Sequence, residues 1–109
     1  MKKIPDGQLV KLSRMLRAIY PRLKEADEAV LREFIILVRT YQAQFVRPPE
    51  GKSYQTLRIR FKGSNKTDAF IREIERKTGN KPINQTRSKG KRTELAYDPR
   101  KIVLTKKKG

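Results

Sequence analysis

The chain of 109 residues contains no cysteine, no histidine and no tryptophan. Without cysteine it can form neither a disulfide nor a thiolate nucleophile, and cysteine-based metal sites are excluded. Without histidine it lacks the side chain that most often acts as a general base near neutral pH and that most often binds zinc. We therefore expect no enzymatic activity, no catalytic residue, no metal site and no cofactor.

Long apolar runs are also missing. The longest, from Phe34 to Val38, is far shorter than the ~20 residues that a transmembrane helix needs. The N-terminal residues carry charge but lack the apolar stretch of a secretory signal. The sequence therefore predicts a cytoplasmic protein with no membrane partner.

Acidic residues are scarce beside basic ones. Twenty-eight Lys and Arg stand against eleven Asp and Glu, which gives a formal net charge of +17. A charge of this size opposes compaction through self-repulsion, so it indicates a polyanionic partner rather than a structural need. A merely solubilising surface is the alternative, but acidic residues promote solubility better and a smaller net charge would be enough.

The charge is unevenly distributed along the chain. Residues 1–47 hold ten basic and five acidic residues, and residues 48–109 hold eighteen and six, so the net charges are +5 and +12. The change falls at Arg47-Pro-Pro-Glu-Gly51, which cannot continue a helix. The sequence predicts a helical hairpin at 1–47, a linker at 48–51 and a basic unit at 52–109.

Apolar residues at helical spacing predict the two helices of the hairpin. The first begins at Asp6 as N-cap and ends before Pro21. The second is long and covers 23–45, and its apolar stripe is wide enough to predict burial on more than one side. The stripe would pack against the first helix and a sheet, or against a second copy of the chain, so a homodimer through this helix is one prediction.

The stretch 54–62 predicts a half-buried strand, because its residues alternate with a period of two. One face is apolar and consists of Leu57, Ile59 and Phe61. The other face is basic and consists of Tyr54, Thr56, Arg58, Arg60 and Lys62. A strand with an apolar back and a basic front indicates a platform for an anionic ligand.

A helix and three further strands complete the predicted fold. The helix covers about 66–78, with Asn65 and Asp68 as a capping pair and with Gly79 after its end. The strands are 82–86 and 93–97, joined by a basic loop at 87–92, and then 102–105 after a turn at 98–101. The predicted class is α+β, an N-terminal helical hairpin followed by a small β-α-β-β-β antiparallel sheet unit.

Four basic features are candidates for binding nucleic acid: the strand face, the glycine-containing turn before helix 66–78, the tip of the 87–92 hairpin and the C-terminal lysines. A helix N-terminus offers free backbone N–H groups to phosphate, and arginine can bind phosphate or guanine through two parallel hydrogen bonds. The candidate residues are Tyr54, Arg58, Arg60, Lys62, Lys66, Arg72, Arg76, Arg87, Lys89, Lys91 and Arg92.

Two modes of binding are open. In the first, helix 66–78 enters the major groove of DNA with the 87–92 hairpin beside it. In the second, Tyr54 and the arginines of the strand bind a single strand of RNA or DNA. Duplex DNA is slightly favoured over RNA, because the cations are spread widely while exposed aromatic residues are few.

Two other classes of function remain as alternatives. One is a basic inhibitor or adaptor that docks on an acidic protein or on a ribonucleoprotein. The other is a metal-free ribonuclease that uses Arg and Lys together with Tyr54 or Tyr97. A metal-dependent nuclease is disfavoured, because the carboxylate pair that mimics its pattern, Asp68 and Glu75, would lie within one helix.

Overall fold

The computed structural model describes residues 5–52, 54–62, 64–87 and 92–102, with the backbone alone at 64, 65 and 87. These residues form an α+β fold of three α-helices and a four-stranded antiparallel sheet, as predicted. The elements are α1 (Asp6–Ile19), α2 (Glu28–Thr40), β1 (Gln44–Phe45), β2 (Leu57–Phe61), α3 (Ser64–Thr78), β3 (Asn84–Arg87) and β4 (Thr93–Tyr97). None of the helices described here is long and apolar enough to cross a membrane.

The order of the strands in the sheet is β1-β2-β4-β3, and neighbouring strands are antiparallel. β2 lies inside the sheet and pairs with β4 along its whole length, from Leu57 opposite Tyr97 to Phe61 opposite Thr93. The predicted alternation in β2 is confirmed, because its three apolar residues are buried while Arg58 and Arg60 are half-buried on the opposite face.

The hydrophobic core lies between the apolar face of the sheet and the helices. Its centre is an aromatic cluster, in which the ring centroid of Phe70 lies 5.1 Å from that of Phe61 and 6.4 Å from that of Phe34. Phe34 in turn meets Tyr97 edge-on at 4.9 Å. Buried residues from both sides of the predicted linker at 48–51 belong to this one cluster.

The predicted helix over 23–45 is wrong at both ends. Residues 21–25 form a 3₁₀ turn, and α2 begins only after Asp27, whose side chain accepts a hydrogen bond from the N–H of Ala29 at 2.9 Å. At the other end, Gln42 takes a left-handed conformation with φ of 58°, and the chain returns as β1. The Asp27 cap therefore sets the start of α2. The pairing of residues 44 and 45 with β2 keeps them out of the helix that the apolar spacing predicts.

The wide apolar stripe of α2 is buried within the chain itself. Its buried residues are Val30, Leu31, Phe34, Ile35, Leu37 and Val38. They belong to the same core cluster as residues of α1, α3 and the sheet. The width of the apolar stripe, which suggested a homodimer through this helix, is therefore accounted for by packing within a single chain.

Three smaller predictions also need correction. Asp6 is the first residue of α1 rather than its cap, which is Pro5. Because α3 already begins at Ser64, Asn65 lies inside the helix and does not cap it. Of the predicted last strand at 102–105, Ile102 lies outside any strand and the other three residues are not among those described.

The chain reversals after α3 agree well with the sequence. Gly79 follows the helix with φ of 78°, a conformation that glycine adopts without steric cost. Its N–H donates to the Glu75 carbonyl at 2.8 Å. β4 has the predicted bounds, whereas β3 begins two residues later than predicted, at Asn84. Asp98 caps the following 3₁₀ turn by accepting from the N–H of Arg100 at 3.0 Å.

An ion cluster around Glu28 ties α1 to the start of α2. The Glu28 carboxylate accepts hydrogen bonds from Arg17 at 2.9 Å, from Arg32 at 3.0 Å and from the hydroxyl of the buried Ser13 at 3.0 Å. Partial burial would by itself raise the pKa of Glu28, but these hydrogen bonds outweigh it and hold the pKa below its usual value. The folded state therefore favours the ionised carboxylate.

We expect Glu28→Gln to lower the free energy of unfolding by about 1 kcal/mol at neutral pH, a modest figure because solvent screens this part-exposed carboxylate. Since the folded-state pKa is lowered, the stabilisation is present above the unfolded-state pKa and is lost as the pH falls through the folded-state value. Urea unfolding followed by circular dichroism should show a difference from the unaltered chain that shrinks in acid. Glu25→Gln, at an exposed residue, is the control. A difference that persists unchanged in acid would contradict this account.

Candidate nucleic-acid interface

One face of the sheet points away from the core. Alternate residues of the four strands lie on it, and each of them is exposed or half-buried. This polar sheet face consists of Gln44, Arg58, Arg60, Asn84, Thr86, Glu94 and Ala96. It is the surface that the alternation in β2 predicts.

Arg60 and Glu94 face each other across β2 and β4 at the middle of this surface. The guanidinium donates to one carboxylate oxygen of Glu94 from Nη2 at 2.9 Å and from Nε at 3.2 Å. An ion pair this accessible to solvent contributes only about 0–1 kcal/mol to stability. Its main effect is to orient Arg60. Glu94 is the one acidic residue that the described strands place on this face.

Arg58 is held differently, by stacking. Its Cζ lies 4.1 Å from the centroid of the Tyr54 ring, a cation–π contact. Its Nε donates to the Thr56 hydroxyl at 3.4 Å, and among the described residues it forms no ion pair with a carboxylate. Tyr54 itself lies before β2 and not within it, which corrects the predicted strand 54–62. A guanidinium that lies over a ring can also contact a nucleic-acid base by stacking.

The buried Tyr20 packs against the Tyr54 ring. Its ring centroid lies 6.4 Å from that of Tyr54, and its hydroxyl donates to the carbonyl oxygen of Val46. Burial raises the pKa of Tyr20 to about 12, so the hydroxyl stays protonated and keeps its role as a donor. The stacked pair of Arg58 and Tyr54 therefore rests on a buried part of the fold.

Four cations gather at one corner of the polar sheet face. A hollow of about 200 Å³ is lined by Gln42, Gln44, Arg60, Lys62 and Arg92. A neighbouring hollow of about 280 Å³ shares Arg60 and Arg92 and adds Thr86 and Glu94. Lys66, in the first turn of α3, reaches the same place, because its Nζ donates to the Gln42 side-chain oxygen at 2.9 Å. We call Arg60, Lys62, Lys66 and Arg92 the basic corner.

Two predicted site residues lie elsewhere. The buried face of α3 contains Phe70 and Ile74, and Arg72 and Arg76 are exposed on its other side. Arg76 is also bound to Glu73 of the same helix. The structure therefore does not bring Arg72 and Arg76 together with the polar sheet face.

The remaining predicted residues lie on or beside the hairpin tip. The backbone of Arg87 ends β3 opposite Thr93, and its side chain is not described. Lys89 and Lys91 lie outside the described residues. Arg92, which precedes β4, lines both hollows of the basic corner.

Several polar residues of this surface were not predicted. Glu94 could have been found, because Thr93, Leu95 and Tyr97 alternate with it in the pattern that identifies β4. Gln42 and Gln44 could not, because the apolar spacing placed them in a helix. Their position follows only from the pairing of β1 with β2.

Three acidic residues of α2 and α3 are paired with cations. Glu33 and Glu73 lie 3.7 and 3.9 Å from Nζ of Lys77, and Glu75 lies 3.5 Å from Nζ of Lys81. Exposed pairs of this kind cancel charge locally even though they add little stability. The polar sheet face differs, because several cations converge there and Glu94 is the one carboxylate that the described strands place beside them.

Two catalytic hypotheses can be compared with the geometry. Asp68 and Glu75 are seven residues apart on α3, which separates them by about 10 Å along the helix axis. They cannot bind one metal ion together. Tyr97 is fully buried, and burial raises its pKa, so it does not reach a substrate on the polar sheet face. Within the described residues, no group of three or more acidic side chains could hold a metal ion.

Comparisons with protein-family models, with curated proteins and with solved structures gave no match to this chain. The functional assignment therefore depends on the geometry and charge of the polar sheet face.

Proposed function

We propose that this protein binds single-stranded nucleic acid across the polar sheet face and has no catalytic role. The observation that supports the proposal is the arrangement of Arg58, stacked on Tyr54, beside the basic corner, with Glu94 as the one carboxylate among them. Phosphates would bind at the basic corner. A base would stack on the guanidinium of Arg58, and neighbouring polar residues of the sheet would contact base edges.

A single strand fits this surface better than the duplex DNA that the sequence slightly favoured. Binding through a helix in the major groove needs cations on the exposed side of α3. The arginines there, Arg72 and Arg76, lie among acidic residues, and Arg76 is already paired with Glu73. A sheet that exposes a stacking group beside cations is instead a common way to bind unpaired bases.

The hairpin tip remains part of the proposal. The segment that contains Lys89 and Lys91 joins β3 to β4 directly before Arg92, which lines the basic corner. These two lysines, together with Arg87, are therefore candidates for further contacts with the phosphates of a bound strand.

Fluorescence-anisotropy titration tests the proposal. Labelled single-stranded RNA, single-stranded DNA and duplex DNA of one sequence should be compared at several salt concentrations. We expect both single strands to bind more tightly than the duplex. With four phosphate contacts at the basic corner, log K should fall against log[salt] with a slope of about −3.

The other outcomes of this titration are equally informative. Preference for the duplex with a steeper slope would move the site to α3 and the hairpin tip. No binding of any of the three at low salt would contradict a nucleic-acid function. If the single strands bind, a difference in affinity between RNA and DNA would show whether the 2′-hydroxyl of the sugar is recognised.

A further inference from the structure

A second surface of the molecule lies on the helical side of the sheet, at its β1 edge. There residues of α1, α2 and β1 line an open groove of about 410 Å³. Its apolar lining includes Leu12, Met15, Ile19, Val38 and Phe45. Met15 is 41% exposed, so part of this apolar lining is open to solvent. The volume lies within the ~300–1,000 Å³ typical of ligand pockets.

The edge strand beside the groove has backbone groups available for pairing. The N–H of Val46 donates to the carbonyl of Arg58. Hydrogen-bonded positions recur at every second residue of an antiparallel strand, so Gln44, which pairs with Arg60, is also a position that bonds to β2. In an antiparallel pair the intervening residue points its N–H and C=O the other way. Phe45 is that residue, and its backbone groups therefore face the open edge of the sheet.

Two arginines stand at the rim of the same groove. Arg39, near the end of α2, and Arg47, two residues after the end of β1, are both exposed and both line it. Among the described residues neither forms an ion pair with a carboxylate. An occupant of the groove would therefore meet an apolar floor, an unpaired strand edge and two positive charges.

We propose that the groove binds an extended segment of a partner protein that carries both apolar and acidic side chains. The segment would add to β1 as a further strand through the backbone of Phe45. Its apolar side chains would lie against Met15, and its carboxylates would pair with Arg39 and Arg47. A second copy of this chain fits poorly, because its net charge of +17 would repel the rim.

Selection from a phage-displayed library of random peptides tests this proposal. The full chain is the target, and the Met15→Glu variant is used for counter-selection, since an exposed residue can be changed without disturbing the core. We expect the enriched peptides to combine acidic residues with alternating apolar residues. A selected peptide should shift the backbone amide NMR signal of Phe45.

Matched variants separate this groove from the polar sheet face. The selected peptide should bind the Arg39→Glu, Arg47→Glu double variant at least about 10-fold more weakly, the loss expected when two charge-assisted contacts become repulsive. The Arg58→Glu, Lys62→Glu double variant, which removes the same amount of charge from the other face, should bind it nearly as well as the unaltered chain.

Three outcomes would overturn the proposal. The first is enrichment of no peptide, or of peptides without acidic residues. The second is a peptide that loses affinity equally in both double variants, because it would then respond to total charge alone. The third is self-association in sedimentation that Met15→Glu abolishes, which would assign the groove to a second copy of the chain. None of these depends on whether the protein binds nucleic acid.

Discussion

Replacing Arg58 and Lys62 by glutamate should weaken the binding of a single-stranded oligonucleotide by at least about 100-fold, because two contacts with the strand become repulsive. Neither residue is paired with a carboxylate among the described residues, so the fold should tolerate the change. The matched control is Arg72→Glu with Arg76→Glu. It removes the same formal charge but lies on the exposed side of α3, and we expect a change of less than about threefold.

A milder substitution separates stacking from charge at the same position. Arg58→Lys keeps the positive charge but loses the planar group that lies on Tyr54. We expect affinity to fall by about 10-fold while the slope of log K against log[salt] is nearly unchanged, because the number of cations stays the same. A variant that binds as well as the unaltered chain would show that Arg58 acts only as a charge.

The comparison of the two double variants decides where the strand binds. If both lose affinity to the same extent, total charge governs binding and the polar sheet face has no special role. If the α3 variant loses more, the helix is the binding element. The mode in which α3 enters the major groove of duplex DNA then becomes the better hypothesis. Circular dichroism of each variant shows whether the fold is retained.

Phe70→Ala should lower the free energy of unfolding by about 3–5 kcal/mol, the usual cost of truncating a buried phenylalanine. Phe70 is fully buried, and its ring meets those of Phe34, Phe61 and Tyr97. It therefore connects α3 with α2 and with both inner strands of the sheet. Domains of this size are stable by only about 5–15 kcal/mol, so the loss is a large share of the total.

Urea unfolding followed at two places in the fold gives the measurement. Amide NMR signals from α1 and from β2 should disappear together, at a lower urea concentration than in the unaltered chain, because both elements contribute to one core. Met15→Ala, which truncates an exposed side chain, is the control and should cost less than about 1 kcal/mol. If the β2 signals are lost while the α1 signals persist, the helices and the sheet are separate folding units.

Local pattern predicted those parts of the fold whose residues are constrained by their own neighbours. The alternation of Leu57, Ile59 and Phe61 with arginines identified β2 and its two faces, because a strand exposes every second residue to the same surroundings. Gly79 identified the end of α3, since few other residues adopt its backbone conformation. The basic character of the chain could likewise be seen without a structure.

The same kind of pattern failed between residues 23 and 45. Tyr41 and Phe45 continue the helical spacing of apolar residues, yet one lies in a turn and the other in β1. Both pack against the core, as Tyr41 does against Phe70 at 6.0 Å. The spacing of apolar residues indicates only which residues face the core. It therefore cannot distinguish a longer helix from a chain that turns back over the same core.

The sequence by itself determined the α+β class, the two faces of β2 and the excess of positive charge. Only the tertiary structure decided which cations act together. Arg58, Arg60 and Arg92 meet on one surface because β2 and β4 are neighbours in the sheet, whereas Arg72 and Arg76 lie in the other layer because α3 turns its apolar side to the sheet. A site is a property of distances between residues far apart in the chain, and those distances are set by packing.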